Sequence, residues 1–478
     1  MPMFSFDNSY ARLHESCFVR LSPTPVSKPG WMAFNGALAR ELGLDPEELQ
    51  GEAGLAVFAG NRVPEGSEPL AQAYAGHQFG HFVPQLGDGR AVLLGELVDP
   101  NGRRHDLQLK GCGPTPFSRA GDGRAWVGPV LREFLVGEAM AALGVPTTRA
   151  LAAVTTGDLV YREQALPGAV LTRVAASHLR VGTFQFFAAR GDVETLRSLV
   201  NYACSRHHPG AHGALGLIEA VARAQAELVA AWMSVGFVHG VLNTDNTTIS
   251  GETIDYGPCA FLDDYRPDQV YSSIDVRGRY AYGNQPRVLL WNLAQLATAL
   301  LPLIDSAPER AAEQAHAALD RFSGFYEGAW LRRFRAKLGL REEHAGDQEL
   351  IEALLTAMAD GAADFTRTFR GLADGTATAE FQHPDAFHAF EQAWLARLER
   401  EGQTLESVRK PLQAVNPALH PRNHRVEEVI AAAVEGDLEP FRRLHRALWT
   451  PFKLDAGDAE LALAPREDQQ VHATFCGT

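Results

Sequence analysis

Along the second half of the chain, apolar residues recur every three to four positions, whereas between 85 and 175 they come in short runs closed by Gly, Pro or Asp. The first spacing is that of amphipathic helices and the second that of strands between turns. Ile218, Val221, Ala222, Leu228, Val229 and Trp232 set one apolar face on a helix over 216–235, with Gly236 as its cap. The same spacing predicts helices over 192–204, 287–303, 307–322, 324–338, 347–359, 384–401, 425–434 and 438–448. Upstream, strands are predicted over 91–97 and 105–110, joined by Asp99-Pro100-Asn101-Gly102. A Gly-rich segment over 111–128 follows. Pro129 then opens a helix carrying Leu131, Phe134, Leu135 and Met140, closed by Gly144 and Pro146. Further strands are predicted over 150–154, 159–162 and 169–174. Residues 1–70 read as an irregular extension with one helix near 31–44. The expected organisation is α+β: this extension, a small mixed lobe over 71–176, and a larger helical lobe over 177–478, with a cleft between the lobes.

Composition narrows the class. A chain of 478 residues with 46% hydrophobic content can bury a large core. Its net charge of −14 argues against sequence-independent nucleic-acid binding, which needs a basic face. Five cysteines, Cys17, Cys112, Cys204, Cys259 and Cys476, are too few and too odd in number for a disulfide scaffold. The first residues have neither a basic nor an apolar signal region, and the most apolar long window, 288–304, holds Asn292, Gln295, Thr298 and Pro302. A cytoplasmic protein without membrane attachment is expected.

Candidate chemistry gathers between His239 and Gly257. Thr247-Thr248-Ile249 and Glu252-Thr253-Ile254 flank Ser250-Gly251 and predict a small hairpin, which would fold Asp255 back beside Asn246. A carboxamide oxygen and a carboxylate held together are hard ligands, suited to Mg²⁺ or Mn²⁺ on phosphates.

Asp255-Tyr256-Gly257 resembles the Asp-Phe-Gly metal motif of protein kinases, and Asn246 lies seven residues after His239, as in the kinase catalytic loop. Lys110, at the end of a strand, resembles the kinase lysine that grips phosphates, and Glu133 its helical partner. Gly240 and Val241 depart from that pattern, because they stand where kinases carry Arg and the catalytic Asp. Gln85-Leu86-Gly87-Asp88-Gly89-Arg90, Gln108-Leu109-Lys110-Gly111, Asn243-Thr244-Asp245-Asn246 and Ile254-Asp255-Tyr256-Gly257-Pro258 resemble a narrower family, selenoprotein O and its bacterial YdiU relatives. Phe261-Leu262-Asp263-Asp264-Tyr265 and the terminal Phe475-Cys476-Gly477-Thr478 agree, so the resemblance spans essentially the whole chain.

The resemblance implies a two-lobed, protein kinase-like fold that binds ATP in reversed orientation. It implies transfer of AMP to Ser, Thr or Tyr hydroxyls of proteins, with UMP from UTP as a variant. Carried over motif by motif, Asn246 and Asp255 are the metal ligands and Asp245 the base. Gly87, Gly89, Arg90, Lys110, Asp122, Gly123, Arg173, Arg180 and Asp255 line the nucleotide site. These residue types suit the chemistry, since expulsion of pyrophosphate needs cations around the leaving group and glycine lets backbone approach phosphate. A kinase using Asp245, or a nucleotide-binding pseudokinase scaffold, are the alternatives.

Other motifs carry less. His77 and His81 have i,i+4 spacing, but Gly76 and Gly80 favour a structural turn. Cys204, His207, His208 and His212 read as a surface loop, and Asp263-Asp264 as a solvated turn. Cys476 is a candidate redox thiol on a mobile tail, with Cys259 beside the Asp255 motif as a candidate partner.

Overall fold

A computed structural model describes residues 3–475. The N-terminal part is built around an antiparallel sheet. Strand β1 (Phe18–Arg20) and strand β2 (Gly30–Phe34) come first, followed by short helices α1 (Gly36–Glu41), α2 (Pro46–Gln50) and α3 (Glu52–Phe58). Next are β3 (Leu70–Gln72) and a separate two-stranded hairpin, β4 (Gly76–Gln78) and β5 (His81–Val83). Then come β6 (Ala91–Val98), β7 (Arg104–Lys110), β8 (Ala125–Trp126), helix α4 (Val127–Ala142), and the long strands β9 (Arg149–Tyr161) and β10 (Ala165–Ala175). The sheet order is β1-β3-β6-β7-β10-β9-β2, with β8 also paired to β10.

Two expectations change here. Residues 30–34 are a strand, not the start of a helix; α1 begins only at Gly36, after Asn35 caps it by accepting a hydrogen bond from the Leu38 amide. The apolar run Trp31-Met32-Ala33-Phe34 satisfies either periodicity, and pairing with β9 decides it. The first seventy residues are therefore no loose extension, because they supply both edges of the sheet. The predicted strands over 150–154 and 159–162 are one strand, β9, continuous through Gly157.

The C-terminal part is helical: α5 (Val181–Ala188), α6 (Val193–His207), α7 (Gly213–Val235), α8 (Gln285–Ile304), α9 (Pro308–Lys337), α10 (Asp347–Asp360), α11 (Phe365–Asp374), α12 (Pro384–Arg400), α13 (Leu405–Val415), α14 (Asn423–Val434) and α15 (Glu439–Leu448). α7 is nearly encased; Leu217, Ile218, Val221, Ala222, Leu228, Val229 and Trp232 are buried, and Gly236 closes it in the left-handed conformation. The predicted helices over 307–322 and 324–338 fuse into α9, in which a side chain at Gly324 would meet only open space. α8 is apolar and long enough to cross a membrane by length and composition, but Leu289, Leu293, Leu296 and Leu300 are buried in the main hydrophobic core.

A second core under the sheet unites Leu38, Leu49, Phe58, Val92, Leu107, Leu109, Leu151 and Val170. A third packs α4 against the C-terminal helices through Phe134, Val429, Phe441 and Leu444. Arg422 reinforces that closure: buried just before α14, it pairs with Asp364 at 2.6 Å and Asp263 at 2.8 Å. Asp263 is thus an ion-pair partner, not a solvated turn residue.

Candidate active site

Lys110 ends β7, where strand alternation and register against β6 and β10 point it to one face of the sheet. Its Nζ lies 2.5 Å from Glu133 Oε2, on α4, and 2.8 Å from Asp255 Oδ1. Arg173, opposite Gln108 on β10, holds the other Glu133 oxygen at 2.5 Å. Two cations and two carboxylates are therefore linked in one buried chain. Burial would raise both carboxyl pKa values, but the opposing cations win. Lys110, Arg90 and Arg173 hold Asp255 well below the usual carboxylate range, and Arg173 with Lys110 lowers Glu133. Asp255 also adopts φ 67°, a left-handed conformation that costs a non-glycine residue about 1–3 kcal/mol and that clusters at functional sites.

The segment from Thr247 to Ile254 is not the expected hairpin. It has no strand of its own; Thr248 bridges to Arg180, and Thr253 to Thr147. The β-rich residues spend their backbone bonds on neighbouring elements instead of on each other. Asn246 closes a short 3-10 turn over Thr244–Asn246, where its Nδ2 donates to the Val241 carbonyl at 3.0 Å. That bond orients the carboxamide and leaves Oδ1 as its acceptor. Val241 itself is buried and apolar.

Asp245 is enclosed from a direction the sequence did not reveal. The β4–β5 hairpin turns through Phe79 (φ 51°) and Gly80 (φ 85°), the left-handed pair of a tight two-residue turn. His77 and His81 sit on its strands, not on a helix. The hairpin's polar edge grips the Asn243–Asn246 loop: the His77 amide donates to Thr244 Oγ1 at 2.7 Å, the Phe79 amide to Asn243 Oδ1 at 3.1 Å, and Gln78 Nε2 to Asp245 Oδ2 at 3.1 Å. Gln185 on α5 accepts from Thr244 Oγ1 and meets His77 Nδ1. The other Asp245 oxygen, Oδ1, is buried without a hydrogen-bond partner. Burial pushes the Asp245 pKa up to about 6 against the pull of Arg180 and the Gln78 bond. Arg180 donates to the Asp245 carbonyl at 2.9 Å, lies 3.8 Å from Asp88, and covers the Tyr74 ring at 4.5 Å.

A cleft of about 510 Å³ opens beside Asp245 and is lined by Gly87, Gly89, Arg90, Asp122 and Gly123. The sequence-predicted nucleotide residues thus converge, with Lys110, Arg173 and Asp255 in the adjoining ion cluster. Two glycines are fixed by space as well as by positive φ. A Cβ on Gly87 would fall 2.3 Å from the Phe117 ring, and one on Gly123 2.1 Å from the Gly113 carbonyl. Asp122 is exposed and held at 2.9 and 3.0 Å by Arg162, a residue outside the sequence motifs.

The other candidates lie apart. Cys204, His207, His208 and His212 occupy the end of α6 and the following turn, where His207 Nε2 meets Ser177 and His208 Nε2 meets the Ile249 carbonyl. Cys259 is buried, and burial raises its thiol pKa to about 12. Cys476 lies outside the described residues.

The whole chain has relatives. The family model for "Protein adenylyltransferase SelO" matches residues 2–449. A protein nucleotidyltransferase YdiU from Ruegeria sp. (strain TM1040) is 60% identical over 477 residues, covering 99% of both chains. Proteins of the same name from Rhodopseudomonas palustris (strain BisB18) and Rhizobium meliloti (strain 1021) are each 55% identical, over 487 residues (99% of both chains) and 491 residues (100% of both chains). With its ion cluster, glycine-lined cleft and enclosed Asp245 in the order the motifs predict, the chain belongs to the SelO family of protein adenylyltransferases.

Proposed function

We propose that this enzyme joins AMP from ATP to Ser, Thr or Tyr hydroxyls of acceptor proteins in the cytoplasm and releases pyrophosphate. The observation that carries this reading is the pairing of two unlike carboxylates in one site. Asp255 is held ionised by Lys110 and neighbouring arginines, whereas Asp245 is buried with its pKa raised to about 6 and one oxygen free of hydrogen bonds. A charged carboxylate suits a cation, and one poised near neutrality suits proton abstraction. Residues 71–176 and 177–478 act as the two lobes of a kinase-like fold, with the first seventy residues completing the smaller lobe's sheet.

The donor set fits Mg²⁺ or Mn²⁺: Asn246 Oδ1 and an Asp255 carboxylate are hard oxygen ligands, and they would hold the ion. Such an ion supplies charge neutralisation on the triphosphate. Gly87, Gly89, Asp122 and Gly123 let the nucleotide lie close to backbone. Lys110, Arg173, Arg180 and Arg90 offset the charge that grows on the leaving pyrophosphate. Asp245 takes the proton of the acceptor hydroxyl as its oxygen bonds to the α-phosphorus and the bond from α-phosphorus to the bridging oxygen breaks. Val241 leaves a hydroxyl in the kinase position without a base, which disfavours γ-transfer.

Incubation with ATP labelled at the α- or the γ-phosphate tests the reading. Label from the α-position, intact AMP on acceptor hydroxyls by mass spectrometry, and equimolar pyrophosphate are expected. Asp255→Ala is expected to lower turnover by roughly a hundredfold or more. Transfer of γ-label with ADP as product identifies a kinase; binding of ATP without transfer of either label identifies a scaffold.

A further inference from the structure

A continuous patch of rings and arginines leads outward from the Asp245 loop. Phe82 on β5 packs at a tilt against His77 at 5.0 Å, His77 meets Trp291 on α8 at 5.2 Å, and the Arg279 guanidinium covers Trp291 at 4.6 Å. The same hairpin that carries Phe82 and His77 binds Asn243, Thr244 and Asp245, so the patch is rigidly tied to the catalytic loop. Arg287 is exposed one helical turn before Trp291, on the same side of α8, and Arg277 is exposed in the preceding loop.

The charge of this surface runs against that of the molecule. The chain carries −14 overall, yet residues 276–304 contain three arginines and no Asp or Glu. Most arginines elsewhere are tied to carboxylates, whereas among the described residues no carboxylate lies within 4.0 Å of the guanidinium of Arg277, Arg279 or Arg287; the buried Asp275 carboxylate is spent on the backbone amides of Arg279 and Tyr280. Their apolar companions are also open: Phe82 is 40% exposed and Val276 89% exposed. Unpaired arginine and open aromatic surface together form the composition of a protein-docking site.

We propose that this patch docks the acceptor protein, and that it selects segments with acidic residues beside the hydroxyl to be modified. The proposal rests on Asp245 as the base. An acidic flank would pair with arginines whose guanidinium groups have no carboxylate partner, while an apolar side chain would cover Phe82 and Trp291. Electrostatic guidance of this kind weakens with salt.

The test uses the full-length enzyme, α-labelled ATP and two synthetic acceptor peptides that differ only in flanking Glu or Gln. The Glu peptide is expected to show at least a tenfold higher kcat/KM, with the advantage shrinking at high ionic strength. Arg287→Gln, fully on the surface, and Arg279→Gln are expected to reduce that ratio severalfold while leaving the ATP Kd unchanged. Equal use of both peptides by the wild-type enzyme, or an unaltered ratio in both variants, overturns the docking proposal alone. Failure of α-label to reach any peptide or the enzyme itself overturns the nucleotidyl reading and the docking proposal with it. Arg287-dependent sedimentation with phosphatidylglycerol vesicles in the absence of peptide discrimination makes the patch a lipid-binding surface instead and likewise overturns the proposal.

Discussion

Burial tunes Asp245 toward the proton-accepting role proposed for it. Its pKa, pushed up to about 6 from an ordinary 3.8, means that the folded state disfavours the ionised form. The folded protein therefore loses stability as pH rises from about 4 through about 6, by an amount on the order of 3 kcal/mol. Asp245→Asn removes that loss. Relative to wild type, the variant is expected to gain thermal stability between pH 4 and 7 while losing about 10² to 10⁴ in kcat; melting curves across this range decide it, and parallel curves would show that Asp245 is not the titrating group. Gln78 acts through Asp245. Its hydrogen bond favours the carboxylate, so Gln78→Ala is expected to shift the acidic limb of the kcat profile to higher pH, with the ATP Kd unchanged. An unshifted profile would assign Gln78 a purely structural part. Nothing in the sequence singled out Gln78: it lies in a stretch whose glycines and histidines announce only a turn, and its partner is 167 positions away.

At the scale of elements, the site depends on close approach. Gly182 opens α5 against the strand-like segment at Ala75, where a Cβ would lie 2.1 Å from the Ala75 carbonyl and 3.5 Å from the Asp245 Cα. Gly182→Ala is expected to cost about 1–3 kcal/mol and to displace the catalytic loop, so activity should fall more than the melting temperature implies. Equal losses in the two would show that the loop keeps its place. Local pattern made much of this level legible. The strand ending at Lys110 and the helix carrying Glu133 were readable from local spacing, and the two residues themselves through their resemblance to the kinase lysine and its helical partner. The Thr247–Ile254 segment misled for the opposite reason: its β-rich residues serve as bridges to Arg180 and Thr147, and no local spacing encodes a distant partner. Helix α11, capped by Asp364 and Gly375, is absent from the sequence expectation, and α9 is expected there as two helices parted at Ser323, although the following Gly324 is exposed and tolerable inside a helix.

Across the whole molecule, the C-terminal helices return to brace the segment that follows the metal motif. Arg422 joins Asp263 and Asp364 in the interior, and Asn423 exchanges hydrogen bonds with the Phe261 backbone. Arg422→Met would leave the buried Asp364 and the half-buried Asp263 without their cation, and a loss of about 3–5 kcal/mol is expected, measured by urea unfolding. A loss under 1 kcal/mol would mean that the pair is dispensable to closure. The motifs that carry the family resemblance let the sequence name the candidate site residues, but this brace was invisible there, since Asp263 looked like part of a polar turn.

The position of β1 and β2 at opposite margins of the sheet has a consequence for how the protein can be cut. A fragment beginning at residue 71 would keep Lys110, Asp245 and Asp255 yet strip β1 from β3 and β2 from β9, and with Leu70 it would lose the β3 residue registered against β6. Each bared strand would present a row of unsatisfied amides and carbonyls, a template for sheet-to-sheet polymerisation between molecules. The first seventy residues therefore act as a pair of selvedges: they carry none of the proposed chemistry, and they keep the sheet that bears Lys110 and Arg173 from growing into its neighbours.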